Sequence, residues 1–308
     1  MASAVSADVH VATMGLLVFV EEEALAQWAR ERAHLMARRH ASRVVVLDAA
    51  AEENPPAGGE PEWIELGVRG CSAESVHALA SDLLPAGVPR ILLWVAQQTQ
   101  SDERFLRLAP EMRTILLDSS RARDDDAALR DLAAYVSRHP ADEAVHDLAY
   151  LRLTPWQEVV ADFFDERAFV EDLFDLHHVT IASGSDAEGY YFLGWLASRL
   201  EWEPHGDRAF RHRRRGARTV TYEIVREGQA RRVRRITLDS GRTRFQAALC
   251  ADDDAVMLEV TGAKERPARC APLHDVDIAS LLERAILHQQ RDPVFREALA
   301  VASRLLDV

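Results

Sequence analysis

Short unbroken apolar runs dominate the first half of the chain. Val9–Val20, Ser42–Asp48 (SRVVVLD), Arg90–Ala96 (RILLWVA) and Arg113–Asp118 (RTILLD) are runs of this kind. They predict strands buried on both faces, as in a parallel sheet. Trp63–Val68 adds a further strand, and NPPAGGEP at Asn54–Pro61 is a loop by its Pro and Gly content. Between the runs the apolar spacing is helical, over 21–39, 72–84 and 124–137. The last of these opens on Asp124-Asp125-Asp126, charges that suit a helix N-terminus. Strands alternating with helices predict an α/β layer with a mostly parallel sheet and flanking helices.

Asp147–Asp165 (DLAYLRLTPWQEVVADFFD) carries the sharpest helix signal. Trp156, Val159, Val160, Phe163 and Phe164 recur on one helical face. Thr154 is the predicted N-cap, with Pro155 at the first helical position and Gln157 placed to close a capping box. Arg152 falls outside the cap, beside Tyr150 and Trp156. Two readings fit: a capped core helix with a surface arginine, or a junction that presents Arg152 and Trp156 to a partner. His177–Ala182 is one more short strand, and Ser185-x-x-Glu188 a second capping box. The helix it opens, through GYYFLGWLASRLEW, is apolar on nearly all sides, which predicts burial or an interface.

From Thr219 the period changes to that of strands. Thr219–Arg226, Ala230–Leu238, Thr243–Cys250 and Ala255–Thr261 predict an antiparallel meander, with a further strand at Pro267–Leu273. Two helices, 275–290 and 293–306, end the sequence. A boundary near Pro140–Val145 divides it into two domains. Residues 1–142 form an α/β, Rossmann-like domain without a nucleotide motif. Residues 143–308 form an α+β domain holding the central helix, the antiparallel sheet and the terminal helices.

Composition narrows the partners. With 50 acidic against 37 basic residues the net charge is −13, which disfavours nucleic acid and anionic membranes. The first apolar run is short and has no basic stretch before it, so it reads as neither signal peptide nor membrane span. Cys71, Cys250 and Cys270 are widely spaced, as reduced thiols of a cytoplasmic protein. Cys250 and Cys270 fall on predicted neighbouring strands, either as two small buried residues or as a redox-sensitive pair.

Motifs of catalysis are missing. The turn after the first strand reads Val20-Glu21-Glu22-Glu23, with carboxylates where a dinucleotide phosphate would meet a helix, and no P-loop motif occurs. His177-His178 point to opposite faces of a strand, and no C-x-x-C or H-E-x-x-H occurs. No G-x-S-x-G marks a nucleophile. No catalytic, cofactor or metal residue is therefore expected. The basic stretch Arg211–Arg218 (RHRRRGAR), with Arg231, Arg232, Arg234 and Arg235, is either a solvated surface or a docking patch for an acidic partner.

The central segment resembles the signature of the OpcA family, the glucose-6-phosphate dehydrogenase assembly proteins of bacteria. Further stretches resemble it in the same order: Arg39–Arg43, Leu84–Trp94 (LPAGVPRILLW), Leu117-Asp118-Ser119, and Gly194–Trp202 (GWLASRLEW). The chain departs from the family pattern at Ala41 (commonly Pro), Val95 (commonly Trp) and Gln157 (commonly Arg). The last removes a charge near Arg152 and bears on partner choice. The resemblance implies a non-catalytic protein that binds glucose-6-phosphate dehydrogenase and promotes its oligomerisation or activity. On that reading the candidate contact residues are Arg152, Thr154, Trp156, Arg199, Trp202, Arg213, Arg214 and Arg215. The alternative is a sugar-phosphate- or nucleotide-binding protein, or an enzyme, with an unrecognised site in the α/β half.

Overall fold

The unbroken apolar runs become the strands of one six-stranded parallel sheet. The computed structural model describes residues 12–51, 62–97, 99, 101–139, 144–213, 218–228, 232–251, 255–273, 278–287 and 292–307. Val9–Val11 and the loop predicted at Asn54–Pro61 lie outside them.

In chain order the first layer is β1 (Met14–Val20), α1 (Glu23–Arg39), β2 (Ser42–Asp48), β3 (Trp63–Gly67), α2 (Ala73–Leu83), β4 (Arg90–Val95), α3 (Glu103–Leu108), β5 (Thr114–Leu117), α4 (Asp125–Arg138) and β6 (Ala144–Asp147). The sheet order is β3-β2-β1-β4-β5-β6, that of a dinucleotide-binding fold. α1 buries a stripe of small residues, Ala26, Ala29 and Ala33, which lets it lie close on β1 and β2. On the opposite face an aromatic ladder fills the core. Phe19 stacks on Trp94 at 4.4 Å, Trp94 meets Phe105 at 5.0 Å, and Phe105 meets Tyr135 at 4.8 Å. Each later contact is edge-on, the geometry that aromatic quadrupoles favour.

The second layer begins with α5 (Leu148–Leu151), α6 (Thr154–Phe164) and α7 (Val170–Phe174). β7 (His178–Ser183) leads through α8 (Asp186–Leu200), β8 (Trp202–Pro204) and β9 (Ala209–His212) to β10 (Thr219–Arg226). β11 (Val233–Asp239), β12 (Thr243–Leu249), β13 (Ala255–Gly262) and β14 (Arg266–Pro272) follow. The eight-stranded order is β14-β13-β12-β11-β7-β10-β9-β8. β11 to β14 form the expected antiparallel meander. Thr219–Arg226 does not join it, because β7 lies between β10 and β11, parallel to the first and antiparallel to the second. A parallel pair needs a long crossover, and α8 supplies it. Cys250 and Cys270 are not neighbours either: β13 separates their strands, Cys250 is half-buried and Cys270 exposed.

The predicted face of α6 packs here. Phe163 and Phe164 meet Phe245 of β12 at 5.5 and 4.8 Å. Two helices close the chain, α9 (Ile278–Leu287) and α10 (Pro293–Leu306). α9 returns to the first layer, where Leu281, Leu282, Ala285 and Ile286 join the core beneath α1. With β6 already in the first sheet, the chain beyond residue 143 thus supplies a strand and a helix to that layer. Among the described residues no helix is long and apolar enough to cross a membrane.

α10 lies along α8, the helix predicted to be apolar all round. Their closest approach is at Gly194, where an added Cβ would fall on the carbonyl oxygen of Ala298. The obstacle is backbone, so a side chain can be accommodated only by parting the helices. Gly194→Ala is expected to lower stability by about 1–3 kcal/mol, the range for overpacking. A urea midpoint equal to the parent's would contradict this crossing.

Candidate functional site

The polar groups of the chain converge where the two layers meet, at the C-terminal ends of β5 and β6. Asp147 ends β6 and opens α5. Its Oδ1 accepts the backbone N–H of Ala149 (2.9 Å) and of Ser119 (3.1 Å), and its Oδ2 accepts the Tyr191 hydroxyl (2.8 Å). Asp147 therefore caps α5, and α6 begins separately at Thr154 with Leu153 at its N-cap. Leu153 is already helical (φ −81°, ψ −11°), and the Gln157 N–H donates to its carbonyl (2.9 Å). The cap expected at Thr154 is not formed. Its hydroxyl donates to the Leu151 carbonyl (3.1 Å) and accepts from Arg284 (2.7 Å). α6 thus starts without a side-chain cap, Thr154 standing one residue inside it and Pro155 in its first turn.

Arg152, in the short link between α5 and α6, turns inward. Its Nη1 and Nη2 donate to the two oxygens of Asp118, both at 2.9 Å, a fork matched to a carboxylate. Nη2 also reaches the Ser120 hydroxyl (2.6 Å), and Nε donates to Glu188 Oε1 (2.7 Å). Glu188 Oε2 accepts the backbone N–H of Val233 (2.9 Å) at the start of β11. One guanidinium thus joins the end of β5, the first turn of α8 and, through Glu188, the second sheet. The carboxyl side chains are 3% and 1% exposed.

Glu188 is consequently unavailable to the capping box predicted with Ser185. Asp125 of α4 caps α8 instead, its Oδ2 accepting the Ser185 hydroxyl and the Asp186 N–H, each at 2.9 Å.

Burial and charge pull these groups apart. Burial would raise the Asp118 carboxyl, but the charge and hydrogen bonds of Arg152 hold it below its ordinary value. Burial pushes Glu188 up to about 7, against the pull of Arg152. Burial, and then the charge of Asp118, raise Asp147 to about 6. The Tyr191 hydroxyl, buried against Asp147, is raised well above its ordinary value and stays a donor. Arg152 is raised despite its burial, because both carboxylates favour its charge.

Nearby stands the place where this sheet order offers a crevice to a cofactor. Side chains from α1, β4, β5 and α4 leave a cavity of about 30 Å³ there, next to Trp28, Trp94, Ser119 and Arg121. That is room for about one water. The turn before α1 is acidic as expected. Glu21 accepts from Arg104 (2.6 Å), Glu22 stands at the N-cap without a side-chain cap bond, and Glu23 opens the helix.

The other predicted residues are scattered. Trp156 and Trp202 are each 4% exposed and belong to the core, Trp202 lying 5.7 Å from Phe210. Of the two readings of this segment, the core helix is formed, but Arg152 is turned inward and half-buried, so neither a surface arginine nor an exposed Arg–Trp pair results. The cause lies in its partners, Asp118 and Glu188, which are distant in sequence. Arg199 is half-exposed and pairs with Glu297. Arg213 is the most exposed of the described candidates, at 72%, with Glu203 3.7 Å away. Arg218 pairs with Asp175 and Arg235 with Glu227. Arg214, Arg215 and Arg231 lie outside the described residues. Sequence reasoning missed Asp118, Asp147, Glu188 and Tyr191 as one site. Asp118 and Asp147 did fall in the recognised stretches, which was the available signal.

Two family models match the chain. One, described as the N-terminal domain of the glucose-6-phosphate dehydrogenase subunit, covers residues 33–134. The other, described as the C-terminal domain of the same subunit, covers residues 143–299. Among curated proteins, "Putative OxPP cycle protein OpcA" of Nostoc punctiforme is 33% identical over 145 residues, 46% of this chain and 30% of that protein. The protein of the same name from Synechococcus elongatus is 26% identical over 258 residues, 76% of this chain and 57% of that protein. The chain spans less than two thirds of the length of these relatives. Among solved structures, KijD10, a 3-ketoreductase from Actinomadura kijaniata, superposes with a TM-score of 0.59 at 10% identity over 96% of each chain. An oxidoreductase from Sinorhizobium meliloti gives 0.54 at 13% identity over 95% of each. At such identities the likeness is one of fold alone.

Truncating Arg152 would strand two buried carboxylates. Arg152→Met is expected to cost about 3–5 kcal/mol, and Thr154→Ala only about 1–2 kcal/mol, for its two hydrogen bonds to Leu151 and to the part-exposed Arg284. Denaturation midpoints in which Thr154→Ala equals or exceeds Arg152→Met would reverse the assignment.

Glu188 also makes a pH prediction. Its folded value of about 7 lies above the unfolded value of about 4.3. The folded state therefore holds the extra proton between these values, and stability from this group falls as pH rises through that window. The stability of the parent relative to Glu188→Gln is expected to shrink from about pH 5 to about pH 7.5. A difference that is constant or grows with pH would contradict the burial of Glu188 as an acid.

Proposed function

The chain belongs to the OpcA family, by family models that together run from residue 33 to residue 299, and from that premise we propose that it is a non-catalytic partner of glucose-6-phosphate dehydrogenase. It binds the dehydrogenase and promotes its assembly or activity, within the oxidative pentose phosphate route that the relatives' name abbreviates. The observation that carries this reading is the match of both halves to domains described as parts of a subunit of that enzyme.

The site chemistry supports it. A dinucleotide bound at a parallel sheet of this order needs an open helix N-terminus for its phosphates. Here Glu21, Glu22 and Glu23 stand at that position, and repulsion between them and a pyrophosphate opposes binding. The adjoining crevice is filled by Trp28, Trp94 and the residues that accompany the Arg152 network. The carboxyls of the network are shielded from solvent and committed to Arg152, so they offer no accessible acid or base.

The contact surface is the arginine-bearing edge near β9. Trp156 and Trp202 are core residues, whereas Arg211 and Arg213 are exposed and Arg214 and Arg215 continue the same run. In a chain of net charge −13 such a patch steers an acidic partner into register.

The direct test mixes the chain with the dehydrogenase of its own organism. Expected is co-elution in size exclusion, a shift in the oligomer of the dehydrogenase and a change in its kinetics, with no oxidation of glucose 6-phosphate by the chain alone. Turnover by the chain alone, or a dehydrogenase indifferent to it, would refute the proposal. Changing Arg213, Arg214 and Arg215 together to Gln is expected to slow association at low salt and to flatten its salt dependence, because exposed charges are screened over about 8 Å at physiological salt. Equal association rates for variant and parent at low and moderate salt would exclude this edge as the steering surface.

A further inference from the structure

The segment that carries Arg152 inward presents a second face to another cavity. Tyr150, Thr154 and Gln157 recur at helical spacing and line a space of about 510 Å³ together with His146, Arg284 of α9 and Asp292 at the start of α10. That volume falls within the range of about 300–1,000 Å³ typical of small-molecule sites. Its walls come from both layers, since α9 packs on the first sheet and α10 on α8.

The guanidinium of this cavity is held differently from those that meet carboxylates. Arg30, Arg104, Arg152 and Arg226 all sit on carboxylates. Arg284 donates instead to the neutral hydroxyl of Thr154 at 2.7 Å, and among the described residues no carboxylate pairs with it. Asp292, the nearby acid, is committed elsewhere: its Oδ1 accepts the N–H groups of Val294 (2.9 Å) and Phe295 (3.1 Å) at the N-terminus of α10. There the helix dipole offsets its charge. The Tyr150 hydroxyl is pushed up to about 12, by burial and then by Asp292, so it remains a donor. A planar guanidinium without a carboxylate, beside a phenol and an amide, matches a phosphate carried on a polyhydroxylated body. The guanidinium fork fits phosphate oxygens, and the phenol and amide can bond hydroxyl groups.

We propose that this cavity binds a sugar phosphate of hexose size, with Arg284 holding the phosphate and Tyr150 and Gln157 meeting its hydroxyl groups. The site is distinct from the crevice of the parallel sheet. The choice of glucose 6-phosphate among hexose phosphates rests on the dehydrogenase reading, but binding is read on the chain alone, so failure of either proposal is distinguishable from failure of the other.

Calorimetric titration of the full chain with glucose 6-phosphate is the test, with glucose and inorganic phosphate as comparison probes. Expected is saturable binding of glucose 6-phosphate with Kd below about 1 mM, and binding at least about tenfold weaker for each comparison probe. Arg284→Gln is expected to weaken binding by about tenfold or more, and Tyr150→Phe, which keeps the ring and its packing, by a few fold. Should Arg284→Gln fail to fold, Arg284→Lys keeps the charge and loses the fork, and is expected to weaken binding as well. No saturable binding of glucose 6-phosphate at about 10 mM would overturn the proposal. So would equal affinity for inorganic phosphate, which marks a bare anion site, or folded Arg284 and Tyr150 variants that bind as the parent does.

Discussion

Everything at the junction of the two layers depends on the guanidinium of Arg152, shared between Asp118 and Glu188. Placing a guanidinium between two buried carboxyl groups is costly, and their attraction offsets that cost only when every oxygen and N–H finds a partner. Here the partners are supplied from four elements: the end of β5, the link between α5 and α6, the first turn of α8 and the backbone of β11. The network is therefore a geometric specification more than a source of net stability. An apolar core runs without a break from the first layer into the second, and within it the network has a single arrangement that leaves no charge unpaired. Asp147 extends the same logic by tying Ser119, Ala149 and Tyr191 to one carboxylate.

The architecture is shared with oxidoreductases, but the places where their fold admits a cofactor are used differently here. The first turn bears glutamates, and the crevice beyond it is occupied by tryptophans and by the approach to Asp118. A shared fold does not carry function with it, and the proposed role as a partner of the dehydrogenase rests on the family match.

The first sheet is legible in the sequence because its strands are continuous apolar runs, and such runs have few alternatives in a folded chain. Ser42–Asp48 matches β2 to the residue, and Arg90–Ala96 matches β4 within one residue. The errors have a common cause, competition from residues remote in sequence. Thr154 stands inside α6 and its hydroxyl is held by the Leu151 carbonyl and the remote Arg284, and Ser185 loses the cap of α8 to Asp125. Glu188, which reads as part of a capping box, is the partner of Arg152. β10 reads as part of the meander because alternation reveals a strand but not its neighbour, and β7 intervenes. α3, β6, β8 and β9 escape sequence reasoning because pieces of three to six residues are too short to display a period. The site itself is half-visible: Asp118, Asp147 and Arg152 stand in the recognised stretches, but nothing local shows that they meet.

The claim that one guanidinium fastens the two layers into one cooperative unit is tested most directly by native-state hydrogen exchange. Backbone amides of β4 and β5 report on the first sheet, and those of β11 and β12 on the second. In the parent both sets should exchange with the same opening free energy, that of global unfolding. In Arg152→Met the two sets should separate, one sheet opening at lower free energy than the other. Separate opening already in the parent, or coincident opening in the variant, would contradict the account.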